Sequence, residues 1–366
     1  MGRENLKLLM VSRDLGHHGG VVDTLRLLSH KLNGAIDIRH FSYGRKPWQT
    51  GIVGYLQPLV DLVSLTFLLC FNRFDLVHLN PSLNPKSFLR EIGPLFILRC
   101  FGYKGHVLVF FHGWKPEFVS RISSIRICSF FFKWLLGLAG KIIVLSSGYK
   151  DTLVEMGIPS EKLIVFSSMF EQQSVSDCLK RYPQGPVLLF MSRIVEGKGV
   201  YELLDSFSLI NEKYPESSLI FAGDGPDKDF VEKKSANLRN VHFAGYVTGE
   251  AKKKLFEKAD IFVLPTKFSE GCPVSLLEAM ASGLVSVVPA AGGITDVVEP
   301  GVTAVVIPEV TAKAIAEGVI SILEDEKKYL AISKNARNTA YEKYEADKVC
   351  FEIKKIYMAI AEDFLN

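Results

Sequence analysis

The chain has 366 residues, 48% of them hydrophobic and 23% charged, which is enough for two domains that each bury a full core. Its net charge of +3 is unevenly split: residues 1–180 hold 21 Lys and Arg against 13 Asp and Glu, and the remainder 22 against 27. The basic half fits an anionic partner, but no basic stripe with interleaved aromatics and no zinc spacing points to nucleic acid. Six scattered cysteines (Cys70, Cys100, Cys128, Cys178, Cys272, Cys350) lack paired spacing, as expected of reduced thiols in a cytoplasm.

Met1–Lys7 carries charges of both signs and leads straight into a strand, so no signal peptide is expected. Strands are predicted at 6–11, 36–41, 75–79, 107–111, 141–145 and 162–166. A second series follows at 187–191, 217–222, 241–245, 260–264, 285–288 and 303–307. Helical stretches between them imply parallel sheets with right-handed crossovers. Ile52–Phe71 is nearly continuous in apolar residues, but Gln57, Pro58 and Asp61 interrupt it; it reads as a core crossover helix rather than a membrane span. Phe118–Leu138, with Arg121, Arg126 and Lys133 among Phe and Trp, reads either as an interfacial segment or as a buried connecting helix. The polar stretch Ser167–Gly185 separates the two series and is the expected boundary. A closing amphipathic helix from Asp347 places Val349, Ile353, Ile356 and Ile360 at helical spacing.

The densest chemistry lies in Glu270-Gly-Cys-Pro-Val-Ser-Leu-Leu-Glu278, which runs on through Ala279–Gly283. Pro273 suits a first helical turn, leaving Glu270 in the preceding loop and Glu278 about a turn and a half into the helix. Free N–H groups near Gly271, Cys272 and Val274 would make an anion site between two acids able to accept sugar hydroxyls. Upstream, Met191–Gly199 follows a buried strand and puts Arg193 and Lys198 where open α/β sheets bind ligands. Guanidinium and ammonium suit a diphosphate. Phe221-Ala-Gly-Asp-Gly-Pro226 is a second glycine turn, but the third glycine of a dinucleotide fingerprint is missing. No acid closes the strand Val241–Gly245 either, which disfavours a nicotinamide enzyme. In the first half, Gly16-His-His-Gly-Gly-Val21 lets backbone approach a ligand, with His17 and His18 read as solvated. His112 ends a strand, where a satisfied core histidine is the ordinary reading. Asp227-Lys228-Asp229 has metal-motif spacing but reads as a first helical turn.

Taken together, Glu-x7-Glu with Ala-Met-Ala-Ser-Gly, Arg193 and Lys198, and Gly-Asp-Gly-Pro resemble retaining glycosyltransferase family 4. The resemblance covers nearly the whole chain and is most specific over residues 187–300. It implies the α/β GT-B fold, two Rossmann-like doubly wound domains facing a central cleft. Residues 1–167 with helix 347–366 would bind the acceptor, and 186–346 the nucleotide-sugar donor. The implied donor residues are Gly19, Gly20, Arg193, Lys198, Gly223, Tyr246, Val247, Glu270, Gly271, Cys272, Pro273, Val274, Leu277 and Glu278. His112, Arg193, Lys198 and Glu270 would act on the reacting groups, with Glu278 on the ribose. Cys272 stands where an aromatic is common in that family and Pro273 where glycine is frequent, which leaves the sugar open.

The expected activity is transfer of a sugar, with retention and without a metal or cofactor, from a nucleotide diphosphate, UDP being preferred to GDP. The basic, aromatic-rich first half favours a lipid-linked or envelope-polysaccharide acceptor over a soluble one, and contact with a membrane surface. The location would be cytoplasmic or peripheral on the inner membrane face. A sugar-nucleotide epimerase and a non-catalytic sugar-nucleotide-binding subunit are the rivals. Lys198→Ala and Glu278→Ala are expected to spare the fold, because both residues are expected at a solvent-lined cleft.

Overall fold

In the computed structural model, residues 6–17, 19–46, 48–49, 51–177 and 180–362 are described. His18 and Cys178 lie outside them. The chain divides into two compact units, Met1–Ser167 with Ala346–Asn366, and Ser168–Glu345.

The strands of the first unit are β1 (Leu6–Ser12), β2 (Ile36–Ser42), β3 (Leu76–Leu79), β4 (Ser82–Leu83), β5 (Val107–Phe111), β6 (Gly113–Trp114), β7 (Ala139–Val144) and β8 (Leu163–Val165). Six form one parallel sheet in the order β2-β1-β3-β5-β7-β8, and the short β4 and β6 pair separately. All five residues of β5 are buried, as expected of a parallel strand covered by helices on both faces. The second unit holds β9 (Val187–Met191), β10 (Ser218–Ala222), β11 (Val241–Gly245), β12 (Ile261–Val263), β13 (Val285–Pro289) and β14 (Val305–Ile307). Its order β11-β10-β9-β12-β13-β14 reverses direction between β9 and β12, which makes their carboxyl ends the topological switch point. Each of the twelve predicted strands is present, with ends shifted by no more than two residues. The two-residue pair β4 and β6 was too short to leave a sequence signal.

Helix Gly51–Phe71 departs from its expected role as a core helix. Leu65 and Leu69 are buried, but Leu59, Val60, Val63, Phe67 and Phe71 are exposed. The inward face instead carries Asp61, whose carboxylate accepts from Gly44 N–H at 2.7 Å and from Gln57 Nε2 at 2.7 Å. A polar anchor thus turns the apolar stripe outward. Among the described residues, no helix is long and apolar enough to cross a membrane.

Phe118–Leu138 is two helices, Pro116–Ser124 and Arg126–Leu136, broken at Ile125 in an extended conformation. One face fits the buried-helix reading and the other is apolar and exposed. Phe132, Leu135 and Leu136 are buried, while Ile127, Phe130 and Phe131 are exposed.

The closing helix Ala346–Glu362 buries Val349, Ile353, Tyr357 and Ile360 along one stripe. It belongs to the first unit, where Asp347 pairs with Lys31 at 2.6 Å and the Tyr357 hydroxyl meets His78 Nδ1 at 2.7 Å. The stretch after Ser167 is no loose connector. Met169, Phe170 and Val175 are buried in the second unit, and Ser176 N–H donates to Ser282 Oγ at 3.0 Å.

Candidate functional site

Four loops converge at the carboxyl ends of the second sheet, and glycines let their backbones touch. A Cβ on Gly223, whose φ is +145°, would lie 1.9 Å from the Ser192 carbonyl oxygen, and one on Gly225 2.1 Å from that of Ile194. The turn after β10 is therefore locked onto the loop after β9, with Ile194 N–H donating to Asp224 O at 3.0 Å and Glu196 N–H to Asp227 Oδ2 at 2.6 Å. A Cβ on Gly199 would meet the Pro265 carbonyl oxygen at 2.0 Å, and one on Gly292 that of Glu270 at 2.2 Å. Loops after β9, β10, β12 and β13 form one contiguous rim. Asp227 is the N-cap of helix Lys228–Ser235, one position before the first helical turn expected for it, and Asp229 lies in that turn.

Within this rim Lys198 Nζ sits 2.6 Å from Glu270 Oε1, which also accepts from Thr266 Oγ1 at 2.5 Å. Arg193, five residues before Lys198, is exposed and has no ion pair among the described residues. Glu278 makes a separate cluster with Lys252 Nζ at 2.5 Å and Ser174 Oγ at 3.1 Å. The structure thus joins Lys198 to Glu270 and gives Glu278 other partners. Both Lys198 (9% exposed) and Glu278 (5%) are buried, contrary to the expectation that they line solvent. Their removal should therefore lower stability.

Helix Val274–Ala281 starts one residue later than expected. Pro273 is the N-cap, with φ −66° and ψ 116°, rather than the first helical residue. Its carbonyl accepts from Leu276 and Leu277, and the amides of Gly271, Val274 and Ser275 have no intramolecular acceptor among the described residues. Those amides, with the positive end of the helix dipole, can hold an anion. Leu277 is fully buried, so its side chain is a core contact rather than a ligand contact. Gly245 accepts from Gly223 N–H at 2.7 Å, and Tyr246 beyond it is 56% exposed. Val247 follows it in the same rim loop and is half-buried. Among the described residues, no three His, Cys, Asp or Glu side chains are grouped to hold a metal ion.

Cys272 is buried and its thiol is pushed up to about 12 by desolvation, which outweighs a hydrogen bond with Ser168. Cys70, Cys100 and Cys128 are exposed. Site-resolved alkylation near neutral pH should modify these three at least a hundredfold faster than Cys272, which reacts only after denaturation. Equal rates would contradict the packing of the rim.

In the first unit, Gly19 (φ +134°) caps helix Gly20–Leu32, and Gly20 opens it. His17 is not merely solvated, because its Nε2 lies 3.2 Å from the Arg45 carbonyl oxygen. At the end of β5, half-buried His112 stacks on Phe110 at 4.0 Å between ring centres. Its Nε2 is 2.8 Å from Asn80 Oδ1, while Asn80 Nδ2 donates to the Val11 carbonyl at 3.2 Å. The amide orientation assigns the His112 proton to Nε2 and leaves a lone pair on Nδ1. Burial pushes His112 down to about 3, and His78 down to about 3 through burial and then the neighbouring His112. Both rings are therefore neutral at any physiological pH.

In the unfolded chain the same rings protonate near 6.5. Stability should be fully present above that pH and fall as the pH drops toward 3, because the unfolded state binds the protons first. The slope is at most about 1.4 kcal/mol per pH unit for each ring. Urea unfolding at pH 7, 6 and 5 measures it, and His112→Gln should remove one ring's share. An unchanged slope in that variant would contradict the assignment.

Residues 173–339 match the family model described as glycosyl transferases group 1. The chain is 31% identical over 179 residues to an uncharacterized glycosyltransferase of Methanocaldococcus jannaschii, covering 48% of this chain and 45% of that protein. It is 29% identical over 193 residues to the phosphatidyl-myo-inositol mannosyltransferase of Mycobacterium tuberculosis, covering half of each. The matches span about half the length of these relatives. Among solved structures, Anabaena HepE in complex with UDP superposes with a TM-score of 0.75 at 16% identity, covering 97% of this chain and 100% of that one. At that identity the likeness is one of fold, and the chain has the GT-B fold with two Rossmann-like halves.

Proposed function

We propose that this protein is a glycosyltransferase that moves a sugar from a nucleotide diphosphate to a lipid-linked or growing polysaccharide acceptor, with retention at the anomeric carbon. The observation that carries the proposal is the rim of the second unit. There Lys198 is paired to Glu270 beside free amides at a helix N-terminus, within the residues that match group 1 glycosyl transferases. Exposed Arg193 and buried Lys198 would hold the diphosphate and stabilise the charge that develops on it as it leaves. Glu270 would exchange Lys198 for hydroxyls of the transferred sugar, and Glu278 would accept from the ribose. Backbone at Tyr246–Val247 would meet the base. The family resemblance assigns Gly19 and Gly20 to the diphosphate and His112 to the transferred sugar. Residues 1–167 with the closing helix would bind the acceptor, and 186–346 the donor.

No carboxylate is assigned as a nucleophile, so attack is on the face the diphosphate leaves, assisted by that phosphate, rather than by double displacement. Positive charge from Arg193 and Lys198 takes the part a metal would play, so chelators should leave turnover unchanged. UDP is the preferred nucleotide, in line with the UDP complex of HepE. The relative acting on phosphatidyl-myo-inositol, the basic first half and its exposed apolar helices favour a lipid-linked acceptor at a cytoplasmic membrane face. The test is incubation with UDP-sugars and a lipid extract, read by mass and by NMR at the new anomeric carbon. An acceptor heavier by one sugar, with the donor's configuration, is expected. An altered donor without any acceptor would replace this reading by an epimerase, and unchanged donor in every mixture by a binding subunit.

A further inference from the structure

The first unit contains an apolar cavity that the chemistry above does not use. Its volume is about 450 Å³, and it is lined by Phe88 and Ile92 of helix Pro85–Cys100, Phe118 and Ile122 of helix Pro116–Ser124, and Ile127 and Phe131 of helix Arg126–Leu136. Pro85, Cys128 and Phe132 complete a wall that has no charged side chain among the described residues. That volume lies within the range of small-molecule pockets. A cavity of this kind selects hydrocarbon, since it offers no partner to a polar group.

The surface beside it says which hydrocarbon. On helix Arg126–Leu136, Ile127, Phe131 and Trp134 fall on one row at helical spacing, and Arg126, Phe130 and Lys133 on the adjoining row. Ile127 is 76% and Phe130 68% exposed. Arg126 and Lys133 are exposed as well. The segment 115–137 carries four cations and a single acid. Cations flanking protruding aromatics describe a helix lying in a membrane interface, with its charges at the level of anionic headgroups. The apolar exposure continues across the same helical layer. Phe96 of helix Pro85–Cys100 is exposed, and Leu62 of helix Gly51–Phe71 packs against Gly93 of that helix.

We propose that the cavity takes part of the hydrocarbon chain of an anionic membrane lipid, with Arg126 and Lys133 facing its phosphate. This rests on the lipid-linked acceptor reading and extends it. The chain would be drawn from the bilayer into the unit and hold the phosphate end near the protein.

Cys128, exposed and on the cavity wall, reports occupancy directly, with Cys70 and Cys100 as internal controls. Farnesyl phosphate, kept below its micellar concentration, should slow alkylation of Cys128 in the full chain at least tenfold and leave Cys70 and Cys100 unchanged. Methyl phosphate should do nothing. Ile92→Trp fills the cavity and should abolish the protection. If that variant does not fold, Arg126→Glu with Lys133→Glu, both at exposed sites, should weaken it about tenfold. Equal slowing at all three thiols, equal protection by methyl phosphate, or protection by raised protein concentration alone would overturn the proposal. The last result would mark the face as a contact between two copies. UDP binding without protection of Cys128 removes the lipid site and leaves the transferase reading; protection without UDP binding does the reverse.

Discussion

Gly223→Ala is expected to lower the stability of the second unit by about 3 kcal/mol or more and to abolish nucleotide binding. Gly223 has a φ of +145°, and a Cβ there would lie 1.9 Å from the Ser192 carbonyl oxygen, a backbone atom with no rotamer to yield. The β10 turn would have to lift off the loop after β9. That would break the hydrogen bond from Ile194 N–H to Asp224 O and move Arg193 with it. For a unit of this size the midpoint of unfolding should fall by roughly 10 °C. Gly245→Ala is the control. Its φ of +67° is also left-handed, but nothing lies within 4 Å of the added Cβ, so about 1–2 kcal/mol is expected. Thermal unfolding of the two variants side by side decides the point, and equal losses would mean that the two turns are not locked.

Lys198→Ala is expected to lower turnover by about 10²–10³-fold, the usual loss when one preorganised charge is removed from a developing anion. The packing adds a second consequence. Glu270 would keep the Thr266 hydroxyl as a donor but lose the ammonium 2.6 Å away, at a cost of about 1–3 kcal/mol. The two effects separate in the double variant Lys198→Ala with Glu270→Gln. Removing the stranded carboxylate should restore most of the stability and none of the turnover. Recovery of activity together with stability would assign Lys198 a structural role alone. Glu278→Gln should behave similarly through Lys252 and Ser174.

The strands were readable because parallel strands buried on both faces leave short apolar runs such as Val107–Phe111, bounded by polar or glycine turns. Lys198 and Glu270 were readable from their setting in glycine loops after strands. Their partners were not. Lys252 is one of three consecutive lysines on helix Gly249–Lys258, and a run of like charges does not say which one turns inward. Ser174 lies 104 residues from Glu278, in a stretch whose polarity suggested a connector. Helix Gly51–Phe71 misled for a related reason. Hydropathy is equally high whether an apolar stripe faces a core or the outside, and only the hydrogen bonds of Asp61 show that the polar residue was the inward one. The start of the helix at Val274 was misplaced by one residue because proline has a favourable φ both at the N-cap and just after it.

Amide hydrogen exchange of the full chain with and without millimolar UDP tests the central claim most directly, because it reads ligand and location together. The predicted result is slowed exchange at residues 192–199, 223–227 and 271–276, with little change in β7 and β8 of the first unit. Exchange unaffected in those three loops by UDP, GDP and ADP alike would contradict a nucleotide-sugar site in the second unit.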